Sequence, residues 1–216
     1  MEEAIGIGAG GHAKVVVEIL QLRREYAIAG LLDSDKKKIG LEICGVRVLG
    51  DDLLLTELYA SGIRYAFISM GSLGYANRRE ALYEKTRSIG FTIIAAIHPL
   101  AVVSNSVRLG VGPTLMALSV LNPGSQIGDN VIVNTGAIVD HDCIIGNHVH
   151  IASGACLSGG VIVGNGAHIG ARAVVRQGIS IGHNSVVGAG AVVVKDVPDN
   201  VTVIGVPAQI YKGITI

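Results

Sequence analysis

Neither sign of charge is in excess in this sequence. Its 17 Lys and Arg balance 17 Asp and Glu over 216 residues, which leaves no electrostatic footprint for nucleic acid or an anionic membrane surface. An apolar run of membrane-spanning length is missing as well. The opening MEEAIGIGAGG starts acidic and passes straight into a strand and glycine turn, unlike the basic start, apolar stretch and cleavage site of a secretory leader. A cytoplasmic protein is therefore expected, with neither nucleic acid nor membrane as partner. Cys44, Cys143 and Cys156 are odd in number and lack CxxC spacing, which argues against a disulfide framework and against a thiolate zinc site. Small, buried thiols fit them best.

Charge is also scarce locally. Residues 97–216 carry only 10 of the 34 charged side chains, yet they hold 18 of the 30 glycines and six of the seven histidines. Two architectures are joined near residue 97, and the second is a repeat. Every sixth residue from Ile97 through Val103, Leu109, Leu115 and onward to Val193 is Leu, Ile or Val, seventeen in succession. The residue after each is often Gly, Asn or Asp, types that accept positive φ in a tight turn. The residue four positions on is usually small, as at Ser119, Ala137, Ala155 and Ala173. A period of six suits neither a helix nor one alternating strand, but it does suit short strands joined by turns and coiled so that the aliphatic side chains stack inside.

The first 96 residues alternate differently. AIGIGAGGHAKVVVEILQL reads as strand, glycine turn and helix, with Val15, Val16, Ile19, Leu20 and Leu22 facing the core; AIAGLLDSD is a second strand ending in aspartates. Gly6, Gly8 and Gly11 fit GxGxxG, a weak signal alone. Placed between strand and helix, with an acidic strand end some twenty residues on, it points to a nucleotide-type ligand. VRVLGD, RYAFISMGS and FTIIAAIHP supply further strands, LLLTELYAS and NRREALYEKTRSIG further helices, and Lys36–Lys38 a solvated turn.

The hexads and the tail NVTVIGVPAQIYKG resemble the hexapeptide-repeat acyltransferases, whose left-handed parallel β-helix closes one triangular coil with three hexads. The left hand comes from that resemblance, since parallel crossovers are usually right-handed. GAGGHA, LLD, SMGS, the HP step and NTGAIVDHD in one order narrow the similarity to the bacillosamine and perosamine N-acetyltransferases and the related sialic-acid O-acetyltransferases. The resemblance implies an α/β Rossmann-like domain over residues 1–96 that binds a nucleotide sugar, and a left-handed β-helix acyltransferase domain with a C-terminal tail over residues 97–216. It further implies a homotrimer that uses acetyl-CoA in surface-glycan biosynthesis. A few charged residues from 97 to 193 leave flat walls of the kind a partner subunit covers.

The stretch VDHDCIIGNHVHI, residues 139–151, concentrates histidine and aspartate. His141 lies two positions after the aliphatic Val139, so its side chain belongs at a turn or outer surface. Asp140 and Asp142 flank it, and a carboxylate on one ring nitrogen would raise the basicity of the other. A solvated turn histidine is the alternative on these residues alone. The resemblance makes His141 the general base, Asp142 the acidic helper (commonly Glu in the family) and Asn134 an active-site residue. It makes His150, Ala171 and Ala189 contacts for acetyl-CoA, with Ala189 replacing a glycine found in some members. Gly10, Gly11, His12, Asp33, Ser34 and Gly71 become nucleotide-sugar contacts, Ser34 standing where a second acidic residue is common. His168 should sit one coil above His150, and His148 and His183 have no role. Neither a GxSxG elbow nor a Cys–His context suggests a covalent nucleophile, and an HxxxxH pair for zinc is missing. The expected reaction is direct acetyl transfer to the amine of a nucleotide-activated 4-amino sugar. O-acetylation of a sialic-acid-type sugar is the alternative.

Overall fold

Apolar runs punctuated by glycine turns build a six-stranded sheet from residues 2–93. A computed structural model describes residues 1–72 and 78–211, which divide into two compact units, 1–72 with 78–99 and 100–211. In the first unit β1 (Glu2–Ile7), α1 (Gly11–Arg23), β2 (Tyr26–Leu32), β3 (Glu42–Ile43), β4 (Val46–Gly50), α2 (Leu55–Ala60), β5 (Tyr65–Ile68), α3 (Arg78–Ile89) and β6 (Thr92–Ile93) follow one another. The sheet order is β3-β4-β2-β1-β5-β6, parallel throughout except for the β3–β4 pair. Because the chain leaves β1 toward β2 and later returns to its other side as β5, the order reverses at β1. That reversal opens a crevice beyond the carboxyl ends of β1, β2 and β5.

The α1 face needs one correction. Ala13, Val16, Val17, Ile19 and Leu20 are buried, whereas Leu22 is exposed; positions 13, 16, 17 and 20 form the i, i+3, i+4, i+7 stripe that a helix presents to a sheet, and Leu22 lies off it. The short β3 was not foreseen. It is joined to β4 by Cys44 and Gly45, both at positive φ, the conformation of a two-residue hairpin turn; cysteine is not a residue type that advertises such a turn.

In the second unit two-residue strands recur every six residues as far as Val193, and those up to 174–175 pair in parallel with the strand 18 residues on, as in Ile132↔His150 and Val139↔Leu157. Three hexads thus close one coil, and three sheets form the faces of a left-handed parallel β-helix. The first face carries the strands at 114–115, 132–133, 150–151, 168–169 and 186–187, the second those from 102–103 to 192–193, and the third those from 108–109 to 180–181. The inward aliphatic residues from Leu115 to Val193 are buried. Only the opening coil departs, with Leu109 exposed, because it has no preceding coil to cover it. The column four positions on is buried too, including Ser119, Ala137, Cys143, Ala155 and Ala173.

The turn reading requires correction. Positive φ falls three positions after the inward residue, at Gly124, Asn130, Gly136, Asp142, His148, Gly154, Gly160 and onward. The glycines directly after it have another cause. A Cβ at Gly170 would lie 2.5 Å from the Val187 carbonyl oxygen and 2.6 Å from the Ala189 nitrogen, and a Cβ at Gly128 would lie 2.7 Å from the Gly146 carbonyl carbon. These glycines let successive coils stack; they do not bend the chain. Among the described residues no helix is long and apolar enough to cross a membrane.

Candidate functional site

Two clusters collect the chemistry, one in each unit. In the first unit Gly8 leaves β1 at φ +110°, where an added Cβ would lie 2.8 Å from the Met70 nitrogen, so the fold itself demands glycine there. Ser69 Oγ, at the end of β5, donates to the Gly8 carbonyl at 2.6 Å. The Ala9 N–H donates to Asp33 Oδ2 at 2.8 Å and the Asp35 N–H to Asp33 Oδ1 at 2.9 Å, tying the glycine turn to the end of β2. Lys38 Nζ adds an ion pair to Asp33 Oδ2 at 2.8 Å. Burial pushes the Asp33 carboxyl up, but Lys38 and the two backbone N–H groups outweigh it and hold the pKa below the ordinary value. Lys38 belongs to a lysine run that the sequence alone makes a solvated turn, and in the fold it is the counter-ion of a candidate site residue. Ser34 accepts a hydrogen bond from Arg78. Gly8, Asp33, Ser34, Asp52, Met70 and Arg78 are among the residues lining a small recess there. Gly71 lies beside His12, since a Cβ on it would be 3.7 Å from His12 Cβ. Around Gly10 and Gly11 a Cβ would meet nothing within 4 Å; the chain does not itself require glycine at either position, so the space in front of both is open. Arg79 went unnoticed in the sequence. Its buried guanidinium holds the Ile68 carbonyl at 3.0 Å and also the Met70 carbonyl, fixing the end of β5, and burial lowers its pKa to about 9.

In the β-helix, Asp142 takes the positive-φ turn position at φ 59°, which brings its carboxylate alongside the preceding side chain. His141 Nδ1 and Asp142 Oδ2 are 2.8 Å apart, so the shorter Asp makes the contact directly. The His141 N–H donates to Asp140 Oδ1 at 2.8 Å, and Asn122 Nδ2 donates to the same oxygen at 2.8 Å. His141 is exposed, its side chain 54% accessible. The hydrogen bond with Asp142 and the charge of Asp140 raise its pKa above 6.5. The backbone N–H of His141 and the amide of Asn122 lower that of Asp140. With Nδ1–H given to a carboxylate, Nε2 keeps its lone pair.

Asn134, His150, Ala171 and Ala189 gather elsewhere. Asn134 Nδ2 lies 3.3 Å from His150 Nε2, and the Asn134 side-chain oxygen accepts from the Thr135 N–H at 2.7 Å. His150 is buried and meets His168 edge-on, ring centroids 4.8 Å apart, in the expected coil-above-coil register. Ala171 and Ala189 are exposed turn residues stacked on adjacent coils, linked through the Gly190 N–H to the Ala171 carbonyl at 2.8 Å. All four belong to the first face or the corner after it, whereas His141 and Asp142 occupy the next corner. Within one chain the two groups are therefore separated by a full side of the triangle. His148 and His183 serve turns, the former 2.9 Å from Asn130 Nδ2 and the latter accepting from the Asn165 N–H at 3.0 Å. Cys143 is buried, and burial raises its thiol pKa, the reverse of what a nucleophile needs. Among the described residues no group of three His, Cys, Asp or Glu is placed to hold a metal ion.

Comparison with known proteins gives concordant matches. Residues 4–86 match the PglD N-terminal domain, residues 124–159 the bacterial transferase hexapeptide (six repeats), and residues 160–195 the hexapeptide repeat of succinyl-transferase. Perosamine N-acetyltransferase from Caulobacter crescentus, solved as its H141N variant in complex with CoA and GDP-perosamine, is 45% identical over 99% of this chain and 98% of that one, with a TM-score of 0.92. The acetyltransferase domain of PglB from Neisseria gonorrhoeae is 37% identical over 98% and 100% of the two chains, with a TM-score of 0.89. WeeI from Acinetobacter baumannii is 29% identical over 97% and 100%, with a TM-score of 0.85.

Proposed function

Because the chain belongs to the hexapeptide-repeat sugar acyltransferase family, we propose that it transfers the acetyl group of acetyl-CoA to the amine of a nucleotide-activated 4-amino sugar, with His141 as general base. The observation that carries the base assignment is the 2.8 Å contact between His141 Nδ1 and Asp142 on an exposed turn, which leaves the Nε2 lone pair to accept a proton. Acetyl-CoA supplies the activated acyl group. As the amine nitrogen bonds to the thioester carbonyl carbon it must lose a proton, and Nε2 accepts it; the carbon–sulfur bond then breaks and the CoA sulfur leaves. Asp142 stabilises the imidazolium so formed, and Asp140 adds negative charge beside it.

At the other end of the substrate, the open space at Gly10 and Gly11, the His12 and Gly71 pair, and Asp33 with Ser34 suit a nucleotide approaching the backbone closely. Asn134, His150, Ala171 and Ala189 offer small and polar surface for the pantetheine arm. Adjacent corners of a coil stand roughly 15–20 Å apart, one side being about six residues at a strand rise of about 3.3 Å. Acetyl-CoA held at the Asn134 corner of one copy would then meet His141 of a neighbour, which favours a homotrimer with sites shared between subunits. Exposed Ile138, Ile144, Ile162 and Val174 on the outer faces suit the same assembly.

The deciding assay incubates the purified protein and its His141→Ala variant with acetyl-CoA and a panel of UDP-, GDP- and dTDP-amino sugars, GDP-perosamine among them. N-acetylated product is expected from the wild type, and a loss of about 10²–10⁴ in kcat from the variant. Acetylation of a sialic-acid-type hydroxyl in place of any amine would favour the O-acetyltransferase alternative, and a variant keeping over about half of wild-type kcat would remove His141 as base.

A further inference from the structure

Glycines in the β-helix recur for two reasons, close stacking directly after the inward residue and positive φ three positions after it. Gly159 answers to neither. It lies two positions after Leu157, and among the seventeen equivalent positions from Pro99 to Lys195 it is the sole glycine. Its φ is not positive, yet it is buried at a turn position where the described neighbours at 153, 165 and 171 are exposed or half-buried. What covers it is the candidate base. Val139 and Leu157 are register partners, and the Gly160 N–H donates to the His141 carbonyl at 2.9 Å, so His141 stands one coil before Gly159. A Cβ on Gly159 would lie 2.5 Å from both Cε1 and Nε2 of the imidazole and 3.2 Å from Cδ2. The two nearest of these atoms, Cε1 and Nε2, share a ring edge, and Nε2 is the nitrogen proposed to accept the proton.

We propose that Gly159 is a positioning residue for His141: its missing side chain lets the imidazole lie across the next coil in the orientation that joins Nδ1 to Asp142 and presents Nε2 to the acceptor. The proposal rests on His141 as base. Because the conflicting atoms belong to an exposed side chain and not to backbone, an added methyl displaces the ring while the coil can keep its shape. The cost falls on the base and not on the fold, which separates Gly159 from the stacking glycines.

The test is Gly159→Ala, read by NMR titration of the labelled His141 ring and by steady-state kinetics. The expected result is a His141 pKa that falls back toward about 6.5 and a kcat reduced at least about tenfold, with both KM values within about twofold. An unchanged His141 titration overturns the proposal whatever happens to kcat, since any loss then comes from another source; an unchanged kcat with a displaced ring overturns the catalytic consequence. If Gly159→Ala does not fold, the Gly159→Ala/His141→Ala double variant decides: folding of the double supports the ring conflict, and failure shows that the backbone requires glycine. Should His141→Ala keep full activity while Gly159→Ala still shifts the titration, the base assignment fails and the positioning contact stands.

Discussion

Replacing Asp142 by Asn keeps the size of the side chain and removes the charge that faces His141 Nδ1 at 2.8 Å. The working form of His141 is neutral, so activity rises with pH through the pKa of the imidazole. In the wild type that pKa lies above 6.5, raised first by the bond to Asp142 and then by Asp140, which places the acidic limb of the rate profile above the ordinary histidine range. Asp142→Asn should therefore move the limb to lower pH. It should also lower the plateau, because a base of lower pKa accepts a proton less readily and an amide no longer stabilises the imidazolium. A plateau loss of about tenfold is expected, smaller than the 10²–10⁴ for deleting a general base, since Asp140 and the backbone geometry persist. Asp142→Glu, which restores the side chain commonly found in the family, should keep both limb and plateau close to the wild type. Initial rates of thioester loss from about pH 5.5 to about pH 9, at saturating concentrations of both substrates, give the profile. A limb that stays in place in Asp142→Asn, or moves to higher pH, would refute the reasoning. A loss equal to that of His141→Ala would give Asp142 a structural role.

The two glycine classes of the β-helix should separate cleanly under substitution by Asn. Gly170→Asn drives a Cβ to within 2.5 Å of backbone in the next coil and should cost more than about 2 kcal/mol in denaturant unfolding. Gly178→Asn, at φ +70° with nothing within 4 Å, should stay within about 0.5 kcal/mol, as Asn130 and Asn184 already hold that conformation. Gly11→Val should fold normally, raise the sugar-nucleotide KM strongly and leave the acetyl-CoA KM alone, while His150→Ala should do the reverse; a nucleotide-sugar affinity intact in folded Gly11→Val would remove the amino-terminal unit as the nucleotide site. Light scattering should report roughly three times the 22.3 kDa chain, and a monomer at micromolar concentration would dismiss a shared site.

Much of this protein is written in its periodicity. Period-six aliphatics determine a solenoid because only inward stacking buries them all, and the glycine turn followed by a helix and a second strand up to Leu32 determines an α/β sheet. His141 was placed on an exposed turn by counting two residues from Val139, and Cys143 in the buried column by counting four. Distances across coils are another matter. Positions 18 apart become neighbours only when the helix closes, so in the sequence Gly128 and Gly170 resemble turn residues, and the reason for Gly159 is the imidazole that lies over it. The Lys38–Asp33 ion pair likewise needed the tertiary structure, because a lysine run reads as solvated turn until a partly buried carboxylate is folded against it. Local pattern determined which face each residue takes; which residue it meets there was decided by the closure of the coils and by the return of β5 to β1.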